Sequence, residues 1–189
     1  AIFLSVFLLP TWLAAALNPH LLPEALRFIG VSEPAKIPLL FQALIGEIAI
    51  DMLRMAAIHT PTPLATALGL IAVFMLGDIA IAVGLFTSEV VLYLAISAVG
   101  TFATPSYELS QANRLARIFL LLMAGLFNFW GLGIGILLLF FLLWRTNSFG
   151  VPYLWPLIPL DYKALKTIIV RHPVPTHNLR PSIFKPLDR

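Results

Sequence analysis

The sequence predicts an all-α, polytopic integral membrane protein, a helical bundle of about four to five membrane segments with a short cytoplasmic C-terminal tail. Three observations carry this. The mean hydropathy is +0.95 and charged residues make up 11% of the chain, against roughly 25% in a soluble domain. Several apolar runs reach the ~20 residues that span a bilayer as a helix. Backbone polar groups in lipid must be satisfied internally, so such runs mean helices, and the alternation of a membrane barrel is absent. Finally, seven of the twelve Lys and Arg lie at or after Arg145, which places that end in the cytoplasm by the positive-inside rule. There is no cysteine, hence no disulfide framework and no thiol chemistry.

Residues 1–145 read as the membrane domain, with segments at about 1–17, 39–58, 63–84, 89–104 and 118–144. The first is apolar from Ala1 and lacks the charged flank of a signal peptide. It reads as a spanning helix cut at its front edge, so a longer protein is expected. It ends at the proline-punctuated "NPHLLPE". Pro34 and Pro38 open the second segment, where Glu47, Asp51 and Arg54 fall in one stripe at 100° per residue and Ile45, Ile48 and Met52 lie opposite. Thr62 and Pro63 mark the start of the third. Its one charge is Asp78, and Gly69, Gly77, Ala80 and Gly84 allow close packing. Ser88 is the expected N-cap of the fourth, which Pro105 must kink or end. The fifth is one long tilted helix or a hairpin broken near "NFWGLGIG", 128–135. Residues 146–189 read as a proline-rich cytoplasmic tail, with Tyr153 and Trp155 at the interface and a short interfacial helix at about 161–170.

Enzyme signatures are absent. The four histidines have no metal-ligand spacing, and "GLGIG" lacks the preceding strand of a nucleotide loop. No cofactor, metal or nucleic-acid site is expected.

The most informative stretch is Gly100–Arg117, "GTFATPSYELSQANRLAR", polar between two apolar runs. Glu89, Tyr93, Ser97 and Thr101 recur every four residues on the fourth segment, and Thr104 and Glu108 continue the line past Pro105. The stripe admits two readings. Hydroxyls can line a helix–helix contact, or they can line a water-filled pathway whose carboxylates favour cations. Asp78, costly in mid-helix, is expected to pair with Arg54 or to serve an ion or proton. Glu47 and Asp51, one turn apart, repel unless Arg54 or water intervenes. Arg114 and Arg117 either snorkel to the interface or pair with Glu108 or Glu89 of a neighbour and hold a mouth at Pro105 shut.

Several blocks in order resemble the A subunits of bacterial spore germination receptors: "EIAIDMLRMAAIHTPTPL", "FATPSYELSQANRLARIFLLLMAGLFNFWG" and "SFGVPYLWPLIPL". The forms "GLFTSEVVLYLA", "SYELSQANRL" and "RPSIFKPLDR" sit closest to the sporulation-stage accessory branch. The resemblance covers essentially the whole chain, without the large N-terminal cytoplasmic domain of the family. Asp78 departs from the Glu or Gln of many relatives. The resemblance implies a protein of the spore inner membrane, assembled as a ring-shaped homo-oligomer such as a pentamer. It would pass monovalent cations during germination, alongside nutrient-binding B subunits and lipoprotein C subunits. Competing readings are a non-conducting scaffold for other germination proteins and a secondary transporter, which would want internal repeats or matched broken helices.

Overall fold

The structure is a computed structural model that describes residues 1–24, 29–31, 35–59, 77–148, 151–155, 160 and 162. These residues are helical apart from turns and one two-residue ladder, and the chain divides into two units, Ala1–Ile136 and Leu137–Arg189.

The first apolar run is two helices, Ile2–Val6 and Leu8–Leu17, meeting at Phe7. Pro10 explains the break. It has no N–H for the Val6 carbonyl, and its ring crowds that carbonyl. Trp12 from the second of these helices stacks on Tyr93, with ring centroids 4.7 Å apart, and its Nε1–H donates to the Ile29 carbonyl at 2.8 Å.

The next helix is Leu39–His59. Its buried Gln42 ties two elements together. Nε2 donates to the Ile37 carbonyl at 2.8 Å, and Oε1 accepts the Thr87 N–H at 2.9 Å. Thr87 is the N-cap of helix Ser88–Phe102, so one helix satisfies an orphan donor at the start of another. Ser88, expected as that cap, is instead the first helical residue, and its hydroxyl donates to Glu89 at 3.3 Å. Residues 77–82 are helical and close on Gly84, whose φ of 73° suits a residue without Cβ. There Lys36 Nζ donates to the Val83 carbonyl at 3.0 Å. The rest of the segment expected at 63–84, with Thr62, Pro63 and Gly69, lies outside the described residues.

Helical structure resumes at Tyr107 and runs to Arg145, well before the expected start at 118. Ser106 is the reason: its Oγ accepts the Leu109 N–H at 3.1 Å, an N-cap bond. Pro105 therefore separates two helices and does not kink one. The run is itself interrupted at Asn128 (φ 56°, ψ −141°), the first residue of "NFWGLGIG". A Cβ on Gly135 would lie 2.9 Å from Leu120 Cδ2 and 3.3 Å from Met123 Cβ. Fifteen residues along one straight helix span about 22 Å, so the chain turns back at Asn128. Taken together, the two helices on either side of Asn128, Tyr107–Arg145, make the one described run long and apolar enough to cross a membrane, and Phe3–Leu17 and Ser88–Phe102 are apolar but shorter.

In the second unit, Asn147–Ser148 pairs antiparallel with Val151–Pro152, and the Tyr153 N–H donates to the Thr146 carbonyl at 3.0 Å. Apart from Tyr162, the interfacial helix expected at 161–170 and the tail beyond it lie outside the described residues.

Polarity in the first unit is inverted relative to a soluble domain. Leu115 is 63% exposed while Arg117, two residues on, is 1% exposed. Ile45, Ile48 and Met52 face outward while Glu47 on the same helix is buried. Such a surface suits lipid, and the ionisable groups collect inside the bundle.

Candidate functional site

The interior charges form a ladder between helix Leu39–His59 and the first half of Tyr107–Arg145. Glu47 pairs with Arg117 at 2.6 Å, Asp51 pairs with Arg114, and Arg54 Nη1 donates to Ser110 Oγ at 2.5 Å. The Arg54 guanidinium also lies 5.0 Å from the Tyr107 ring centroid, within cation–π range. At the far end Leu40 crowds Gly125. As numbers rise on one helix they fall on the other, so the two run antiparallel. Steps of three and four residues keep all rungs on one face of each helix.

Arg117 is the centre. Nη1 donates to the Ser5 carbonyl at 2.5 Å, to Ser97 Oγ at 2.7 Å and to Thr101 Oγ1 at 3.1 Å, while Nη2 donates to Glu47 Oε2 at 2.6 Å. Four segments thus meet on one guanidinium. Asn113 Nδ2 adds a bond to Ser5 Oγ at 3.3 Å, and Ser110 Oγ donates to the Thr101 carbonyl at 3.3 Å. Among the described residues, Glu47 Oε1 and the Nε atoms of Arg114 and Arg117 are buried without a partner. Removing one member of such a buried pair costs about 3–5 kcal/mol, because the other charge is left unpaired in a poor solvent for it.

The residues singled out from the sequence fall into three places. Ser97, Thr101 and Thr104 are buried, the first two against Arg117, while the Thr104 hydroxyl donates back to the Gly100 carbonyl at 3.1 Å. Tyr93 is half-buried under Trp12, and Glu89 is half-buried at the start of its helix. Glu108 is exposed and accepts the Ser106 hydroxyl at 3.0 Å. Within the chain, Arg114 and Arg117 meet Asp51 and Glu47, not Glu108 or Glu89. Arg54 turns to Ser110 and Tyr107, and Asp78 is exposed, so the expected Asp78–Arg54 pair is not formed. The physical reason is register, since the antiparallel ladder carries Arg54 to the start of the Tyr107–Arg145 run.

Sequence reasoning missed Ser5, Gln42, Ser110 and Asn113. Ser5 was visible as one of two hydroxyls, with Thr11, in the opening apolar stretch, and Gln42 as the one amide in an apolar helix start. The group that selects their partners is distant in sequence. Among the described residues no cluster of His, Cys, Asp and Glu could hold a metal ion.

The sequence matches the family described as Bacillus/Clostridium GerA spore germination protein over residues 1–183. It is 47% identical over 188 residues to stage V sporulation protein AF of Bacillus subtilis (strain 168), covering all of this chain and 38% of that protein. Spore germination protein KA of the same organism is 28% identical over 93% of this chain and 33% of its own length. The uncharacterized membrane protein YfkQ, also from that organism, is 30% identical over 97% of this chain and 36% of its own. The chain therefore spans little more than a third of these relatives. No solved structure matches it. The family is one of spore germination proteins. An apolar exterior, an ionised interior and a family match over nearly every residue agree: this chain belongs to the GerA family of spore germination proteins and is a membrane protein of that family.

Proposed function

We propose that the chain is the membrane part of an oligomeric cation channel that releases monovalent cations during germination, seen here with its polar seam closed. One observation supports this above the others. One carboxylate, two hydroxyls and a main-chain carbonyl from three segments, those of Glu47, Ser97, Thr101 and Ser5, join Arg117 of a fourth in a connected polar interior in a bundle whose exterior is apolar. Lipid-embedded polarity of this kind marks ion and proton pathways. The protein acts in the spore inner membrane as a ring of identical subunits, with receptor B and C subunits beside it and its C-terminus in the cytoplasm.

A second reading, a non-conducting scaffold, draws on a specific fact: Ser97 is 0% exposed and bonded to Arg117, as in a packing face. Single cysteines at Ser97 and Thr101 separate the two, in a chain whose own residues include none. In a channel they are shielded in dormant spores, react with a small water-soluble thiol reagent once germination begins, and the adduct slows cation release. Shielding before and after the trigger, with normal ion release, identifies a scaffold.

A further inference from the structure

We propose that Arg117 is a tethered cation occupying an oxygen cage that takes a monovalent metal cation, potassium or sodium, when the guanidinium leaves. An ion pair needs only a carboxylate. Here one terminal nitrogen meets three further oxygens of different kinds: the Ser5 main-chain carbonyl at 2.5 Å, Ser97 Oγ at 2.7 Å and Thr101 Oγ1 at 3.1 Å. Glu47 Oε2 closes the group on the neighbouring nitrogen at 2.6 Å. A guanidinium only donates, so each of these oxygens presents a lone pair inward. Hydroxyl, carbonyl and a single carboxylate are the donor set that replaces the hydration shell of a monovalent cation, whereas a divalent ion draws more carboxylates.

Two of the cage oxygens, those of Thr101 and Ser5, are held in place by contacts other than Arg117. Thr101 Oγ1 donates its own proton to the Ser97 carbonyl at 3.0 Å, which turns its lone pairs to the guanidinium. Gly100 brings the Ile2–Val6 helix close, since a Cβ there would lie 2.8 Å from Ser5 N. Glu47 Oε1, in a residue 2% exposed, is buried with no partner among the described residues and is a spare ligand beside the cage. The next ladder charge, Arg114, is neutralised by Asp51. Cage and guanidinium together are neutral, so losing Arg117 leaves one buried negative charge that recruits a cation.

The inference deepens the channel reading and rests on it for its consequence in germination. The binding test needs no conduction, so the two can fail separately. In the full-length protein purified in detergent, Arg117→Ala should gain a dependence of its melting midpoint on potassium or sodium that choline does not reproduce. For a domain of this size the rise is about 3–5 °C per tenfold increase in cation above the dissociation constant. The unsubstituted protein and Arg117→Lys, which keeps a tethered charge, should show none. Adding Glu47→Gln to Arg117→Ala should abolish the effect. If Arg117→Ala does not fold in choline alone, recovery of folded protein on purification in potassium supports the cage, and failure to recover overturns it. A midpoint that responds to acidification but not to metal cations also overturns it, because the carboxyl has then taken a proton.

Discussion

Gly100 should tolerate no side chain, and alanine there tests the contact that brings Ser5 to Arg117. In an ordinary helix Gly→Ala gains about 0.5–1 kcal/mol. At Gly100 the added Cβ would lie 2.8 Å from both Leu4 Cβ and Ser5 N and 3.1 Å from Leu4 C. Two of these three atoms are main chain and cannot rotate aside, so the Ile2–Val6 helix must retreat. Overpacking of this kind costs about 1–3 kcal/mol. The retreat also stretches the bond from Arg117 Nη1 to the Ser5 carbonyl, now 2.5 Å, and a hydrogen bond to a charged group contributes about 1.5–3 kcal/mol. The net expectation is a loss of roughly 2–5 kcal/mol, seen as a fall in melting midpoint of at least about 5 °C in detergent. Gly133→Ala is the control. Among the described residues nothing lies within 4 Å of its built Cβ, so the same substitution there should be neutral or raise the midpoint slightly. If Gly100→Ala behaves like Gly133→Ala, the close approach of the two helices is absent and the oxygen cage loses its carbonyl.

The two ion pairs should differ in weight. Side chains in Glu47–Arg117 are 1–2% exposed and those in Asp51–Arg114 are 17–22%, so Glu47→Gln should lower the midpoint more than Asp51→Asn. Equal losses would contradict the burial order. The exchange Asp51→Arg with Arg114→Asp should recover part of what either change loses alone, and a strictly additive double variant would show that the rung is not a contact. Asn128, with φ 56° and ψ −141°, should accept glycine with no loss of stability, whereas Asn128→Ala should lose about 1–3 kcal/mol by thermal melt. Equal tolerance of both would argue against the chain reversal. A reporter active only outside the cytoplasm, fused after Arg189, should stay silent, and activity would overturn the orientation read from the basic residues.

What the sequence by itself determined is what sums along the chain. Hydropathy, the spacing of apolar residues and the basic C-terminal end give a helical membrane protein. Local punctuation places breaks close to where they occur, at Pro105 and in the "NFWGLGIG" stretch. Several ordered blocks were enough to indicate the GerA family. The charges that matter, Glu47, Asp51, Arg54, Arg114 and Arg117, also stand out, because ionisable groups are rare in an apolar background. Their partners do not, since a partner is chosen by helix register across long sequence distances and not by proximity along the chain. Adjacent segments suggested Asp78 for Arg54, and Glu108 or Glu89 of a neighbour was expected for the two later arginines. The antiparallel packing of helix Leu39–His59 on the start of the Tyr107–Arg145 run instead delivers Ser110 to Arg54, Asp51 to Arg114 and Glu47 to Arg117. Whether the Ser97–Thr101 stripe meets water or protein was likewise open, because periodicity defines a face without saying what covers it. Only the tertiary fold laid Arg117 across it and brought in Ser5, 112 residues from Arg117 along the chain, through a gap that exists because Gly100 has no side chain.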